Sequence, residues 1–214
     1  MSEQVEKRKW AAALGTVVIV FALVGVVATG WAAVAGVNRL LNNPNKYSDY
    51  ATLISPLASL DPMPFEDITA ADPDTLVQAG ILACLEQRNI DEMETDSLGR
   101  LILPVVELEA QAKRLFGSGI VLEYQTFGES DAFEYDELRK SYHVPAYNMR
   151  QTIVRVTKSV RAGDVTTLSV DCFYTGGEFD ESDLPPNAVP DKKMVYVLRG
   201  KPNKEVISQV KIAE

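Results

Sequence analysis

The sequence predicts an α+β fold: an N-terminal transmembrane helix, then a domain in which two or three helices pack on a curved antiparallel sheet. Three observations lead there. Ala11 to Val37 is a run of 27 residues without one charge. Two later segments carry apolar residues at helical spacing, and beyond Gly117 the apolar period switches to two. Helices first and antiparallel strands afterwards place the helices on one face of a sheet.

The uncharged run exceeds the roughly 20 residues that a helix needs to cross a bilayer core. Trp10 and Trp31 lie 21 positions apart, about 32 Å along a helix, which suits indole rings at the two headgroup layers. Lys7, Arg8 and Lys9 precede the run, against Arg39 and Lys46 after it. That balance puts the tail 1–10 in the cytoplasm, the transmembrane helix at 11–37, a linker at 38–46 and the domain 47–214 outside. The alternative is a signal peptide cleaved after Ala35, since Ala33-Val34-Ala35 fits the small-x-small rule. The run is longer than the roughly 7 to 15 apolar residues usual in such peptides, so the anchor is preferred. Ala28, Ala32 and Gly36 form a small-residue stripe of the kind that lets helices associate closely, which makes a homo-oligomer a candidate state.

Residues 1–37 carry Lys7, Arg8, Lys9, Glu3 and Glu6, so the whole-chain charge of −9 less +1 leaves −10 on the remainder. A domain this acidic repels phosphate backbones and anionic lipid surfaces, which argues against nucleic acid. Acid concentrates in Glu129–Glu137 and Glu178–Asp183. Both read as solvated loops, and neither has the spacing of a calcium-binding EF-hand loop. Two cysteines and one histidine are too few for a four-ligand structural zinc site. No metal and no cofactor is expected.

Tyr47 to Leu60 is moderately apolar and reads as a short helix lying on the domain, broken at Pro56. Asp72 as N-cap, Pro73 at the first position and Asp74 in the first turn start a helix over 73–88. Its inward face is Val77, Ile81, Cys84 and Leu85. A second amphipathic helix spans 104–116, with Val105, Leu108, Ala112, Leu115 and Phe116 on one face and Gly117 as its stop. Strands follow at 120–127, 136–143, 153–160, 165–174, 193–199 and 205–212, the last two as a hairpin about Gly200-Lys-Pro-Asn203. Cys84 on the helix and Cys172 on a strand are expected to be buried together and unbonded, with a disulfide as the alternative.

The order of elements resembles the nuclear-transport-factor-2-like (cystatin-like) fold over residues 65–214. The resemblance rests on the two amphipathic helices, the segment Leu-Pro-Val-Val-Glu-Leu-Glu-Ala-Gln-Ala-Lys-Arg-Leu-Phe-Gly, and strands ending in Met-Val-Tyr-Val-Leu-Arg and Glu-Val-Ile-Ser-Gln-Val-Lys-Ile. It implies a cone-like domain and is similar to bacterial envelope proteins with a single N-terminal anchor. That family includes enzymes, ligand carriers and scaffolds, so the fold does not choose a function.

Nucleophile-elbow, phosphate-loop, zinc-protease and dinucleotide motifs are all missing from the sequence. His143, in Tyr142-His143-Val144-Pro145, is the one side chain ready for acid–base work near neutrality. With Glu134, Asp136 and Glu137 just before it, it is expected to be exposed and to have no catalytic role. His143→Ala would then cost no more than about 0.5 kcal/mol. The reading is a membrane-anchored extracytoplasmic module, not an enzyme, held in the lipid bilayer by one span and binding a protein or peptide partner. The alternatives are a bitopic scaffold of a secretion or conjugation-type machine, and a pocket enzyme using His143.

Overall fold

The computed structural model describes residues 44–146, 152–174, 185 and 188–213, which belong to one compact unit beginning at Pro44. Tail, span and stripe (Trp10, Trp31, Lys7, Arg8, Lys9, Ala28, Ala32, Gly36) lie outside the described residues. Among the described residues, no helix is long and apolar enough to cross a membrane.

Helix α1, Pro44–Ala58, starts inside the segment expected to be a linker and runs through Pro56. Pro44 is tolerated because the first helical N–H groups have no intrahelical acceptor. Pro56 stands in the last turn, where its missing N–H costs one bond and no turn has to follow. Helix α2, Pro73–Leu85, is capped as the sequence predicts, with Asp72 Oδ2 accepting from the Thr75 N–H at 2.9 Å. Helix α3 is Val105–Phe116, closed by Gly117 at φ +96°.

The strands form two antiparallel sheets where one was expected. β1 (Leu101–Pro104), β2 (Glu134–Asp136) and β3 (Ser141–Val144) make a three-stranded sheet in the order β1-β3-β2. β4 (Thr152–Ala162), β5 (Val165–Tyr174), β6 (Lys192–Arg199) and β7 (Val206–Ile212) form a four-stranded meander. Pro145 follows β3 directly and has no N–H to extend the ladder, so the small sheet stops there. The strand expected over 136–143 is a hairpin turned by Asp136, whose Oδ1 accepts from the Leu138 and Arg139 N–H groups. At the β6–β7 turn a Cβ on Gly200 would fall 2.5 Å from the Lys204 carbonyl, so only glycine fits.

Residues 120–126 differ most from expectation. They keep the strand-like alternation, with Ile120, Leu122 and Tyr124 turned inward and Val121, Glu123 and Gln125 exposed, but they join no ladder. Side-chain contacts hold the segment instead. Ile120 and Leu122 pack on the core, and the Tyr124 hydroxyl donates to Glu109 Oε1 on α3 at 2.8 Å.

Two hydrophobic clusters fill the unit, and α2 contributes to both. Leu76, Ala79 and Ala83 join the cluster of α1 and the large sheet, with Ile54, Leu57, Leu168, Tyr196 and Val210. Val77, Ile81, Leu82 and Cys84 join that of the small sheet, with Leu101, Leu103, Leu108 and Tyr142. The single inward face expected for α2 is therefore one of two. Cys84 and Cys172 are both buried and free, but they sit in different clusters, so α2 does not set one against the other.

Where α2 meets α3, a Cβ on Gly80 would lie 3.3 Å from Leu108 Cγ. Gly80→Val forces two methyl groups into that crossing and is expected to cost about 1–3 kcal/mol by overpacking, read from the urea midpoint. Tyr196 gives the opposite sign. Its hydroxyl is fully buried with no hydrogen-bond partner among the described residues. Tyr196→Phe removes that orphan and should leave stability unchanged or raise it by about 1 kcal/mol, read in the same titration.

Candidate functional site

One group of polar residues comes together on the outer face of the small sheet. Ile102 of β1, His143 of β3 and Glu134 of β2 stand in register across that face, while their neighbours Leu101, Leu103, Tyr142 and Val144 point into the core. The turn Thr95–Arg100 folds over it. Asp96 builds that turn: Oδ1 accepts from the Leu98 N–H at 2.8 Å and the Arg100 N–H at 2.9 Å. Asx geometry of this kind is local to the sequence.

The other oxygen, Asp96 Oδ2, accepts from Arg100 Nε at 2.8 Å and faces His143 Nδ1 at 2.9 Å. A carboxylate only accepts, so Nδ1 carries the proton. Arg100 then reaches Glu134 Oε2 at 2.7 Å, joining turn, β1, β2 and β3. Burial alone would raise the Asp96 carboxyl. The Arg100 N–H, the His143 ring, the Arg100 guanidinium and the Leu98 N–H outweigh it and hold Asp96 well below the usual carboxylate range.

His143 is thus not the exposed residue the sequence suggested. Its side chain is 12% exposed, and its acid partner is Asp96, 47 positions away, while Glu134 belongs to Arg100. An aspartate on Nδ1 is also how a catalytic imidazole is oriented, so the geometry can serve a base or a structural tie. Among the described residues, no hydroxyl or thiol is bonded to Nε2. Burial pushes the Cys84 thiol up to about 12 and Cys172 up to about 11, so neither is a ready thiolate.

A groove of about 330 Å³ lies elsewhere, lined by Glu109 and Lys113 of α3 and by Ile120, Val121, Leu122 and Tyr124. His143 is not among its residues. Glu109 bridges the groove wall, accepting from Tyr124 on one oxygen and from Lys113 Nζ at 3.0 Å on the other. Those two donors, Tyr124 first, lower its carboxyl. Among the described residues, no three His, Cys, Asp or Glu side chains converge as a metal set. Of the acidic clusters, 129–137 spends Glu134 and Asp136 on Arg100 and on the β2–β3 turn, and 178–183 lies outside the described residues.

His143→Ala is expected to cost more than about 1 kcal/mol, a hydrogen bond to a charged group, where Leu138→Ala at a 97% exposed site costs little. The acid limb tests Asp96. A carboxyl lowered on folding stabilises the native state above its unfolded pKa of about 4, and that contribution is lost as pH falls through the folded value. Asp96→Asn should therefore be less stable than the parent at pH 7, with the difference closing below about pH 4. Comparison with protein-family models, with curated proteins and with solved structures found no match to this chain.

Proposed function

We propose that the chain is a membrane-anchored, extracytoplasmic binding module of a bacterial envelope, with a cone-like domain that takes a protein or peptide. The observation that carries this is the juxtaposition along the chain of a 27-residue uncharged run, flanked by Lys7-Arg8-Lys9, with a compact α+β unit that begins at Pro44. Helices over a four-stranded antiparallel meander support the cone-like description. The polar cluster supports a non-catalytic role, because Asp96 and Arg100 use their bonds to close a turn over the small sheet.

The Asp96–His143 bond favours a second reading, an enzyme that uses His143 as a base. His143→Asn separates the two, since its amide still donates to Asp96 but has no basic nitrogen. A binding module keeps its cellular phenotype with this substitution. Loss of phenotype in a stable His143→Asn protein establishes the enzyme reading instead.

Topology is tested in intact cells with a membrane-impermeant thiol reagent, the native Cys84 and Cys172 being buried. Leu138→Cys should label and Gln4→Cys should not. The reverse pattern overturns both the orientation and the extracytoplasmic role. Discrete homo-oligomers of the anchored protein, with no other protein bound, point to the bitopic scaffold.

A further inference from the structure

Residues 120–126 have the side-chain pattern of a strand and the backbone of an unpaired one. None of them has a positive φ, and none is in a helix or turn. Gln125 fixes which way the peptide groups face. Its N–H donates to the Tyr142 hydroxyl at 3.1 Å, and that hydroxyl donates back to the Gln125 carbonyl at 2.9 Å. Phe127, two residues on, exchanges both backbone bonds with Phe133. Peptide groups two apart in an extended chain point the same way. By that alternation the groups of Val121 and Glu123 lie on the same side of the segment as those of Gln125, and the groups of Leu122 and Tyr124 lie on the opposite side. Among the described residues, the N–H and C=O of Leu122 and Tyr124 meet no backbone partner.

An open row of this kind is a template for one more strand. It borders the groove lined by Glu109, Lys113 and Val121, and Val121 itself is 83% exposed. Charge selects the occupant. If a second copy added its own 120–126 segment antiparallel and in register, Glu123 would stand opposite Glu123, which is destabilising. Two copies, each with a net charge of −10 beyond residue 37, would also repel at longer range. The Lys113 cation in the groove is already bonded to Glu109 and does not neutralise Glu123.

We propose that the edge Ile120–Thr126 is a strand-addition site for another protein, an extended segment in which apolar residues that enter the groove alternate with Lys or Arg set against Glu123. This rests on the binding-module reading and names its surface.

The test is amide hydrogen exchange on the full chain in detergent, with the acetylated, amidated peptide Val-Lys-Val-Lys-Val-Lys-Val as the probe. Without it, the Leu122 and Tyr124 amides exchange fast. With it, both are protected, and Glu123→Lys weakens binding at least tenfold. The same peptide N-methylated at alternate residues, which removes its donors, gives no protection. The proposal is overturned by amides that stay fast at millimolar peptide, by protection already present in the free protein, or by protection that survives N-methylation. It is overturned equally if Glu123→Lys binds as tightly as the parent. These failures leave the thiol-labelling result untouched, and reversed labelling leaves the peptide result untouched, so the two proposals fail separately.

Discussion

Helix α2 has to bury nearly its whole circumference, and most of the unit is arranged around that requirement. Leu76, Val77 and every residue from Ala79 to Cys84 are buried. A helix apolar all round is stable only with packing on more than one side. One side meets α1 and the large sheet; another meets α3 and the small sheet. Gly80 sets how close α3 approaches, because the missing Cβ is what lets Leu108 lie against the α2 backbone. The small sheet could not persist without this arrangement. Three strands of four residues or fewer have too little apolar area to hold themselves together.

Such a helix also explains which parts of the fold could be read in advance. α2 and α3 carry local signals, an Asp72-Pro73 start and a Gly117 stop, and those act within a few residues. Strands β4 to β7 are long enough to show their alternation and their turns. The two-sheet division was hidden because it depends on where pairing stops, at Pro145, and a proline inside an apolar run also occurs at edges and bulges. The segment 120–126 shows the limit of periodicity as a guide. A period of two reports which side chains are buried in an extended chain; it does not report whether a neighbour is there to bond.

The candidate site was half visible. Asp96-Ser-Leu-Gly99 reads as a turn, and the Asx geometry found there is what that composition favours. His143 stood out as the one imidazole in the chain. What joins them is register across β1 and β3, which carries no sequence mark over 47 positions. The acids adjacent to His143 in sequence were a poor guide, since Glu134 points to Arg100 and Asp136 caps its own turn.

The same ion pairs bear on partner choice. Arg88 is held by Glu107, Arg100 by Asp96 and Glu134, Arg161 by Glu205, Lys192 by Asp61 and Lys211 by Glu66. Arg161 also donates to the Gly200 carbonyl at 2.7 Å, so that its charge closes the corner of β4 and the β6–β7 turn over a buried Glu205. Cations committed in this way bring a carboxylate with them and cannot offset the remaining acid. With 30 acidic residues against 21 basic ones, the uncompensated charge is carboxylate. A field of one sign speeds the approach of oppositely charged partners and keeps like-charged copies apart. An open strand edge is ordinarily a hazard for self-association. Here Glu123 sits on that edge within an acidic domain, and the charge that would drive two copies apart is the charge that a basic strand would seek.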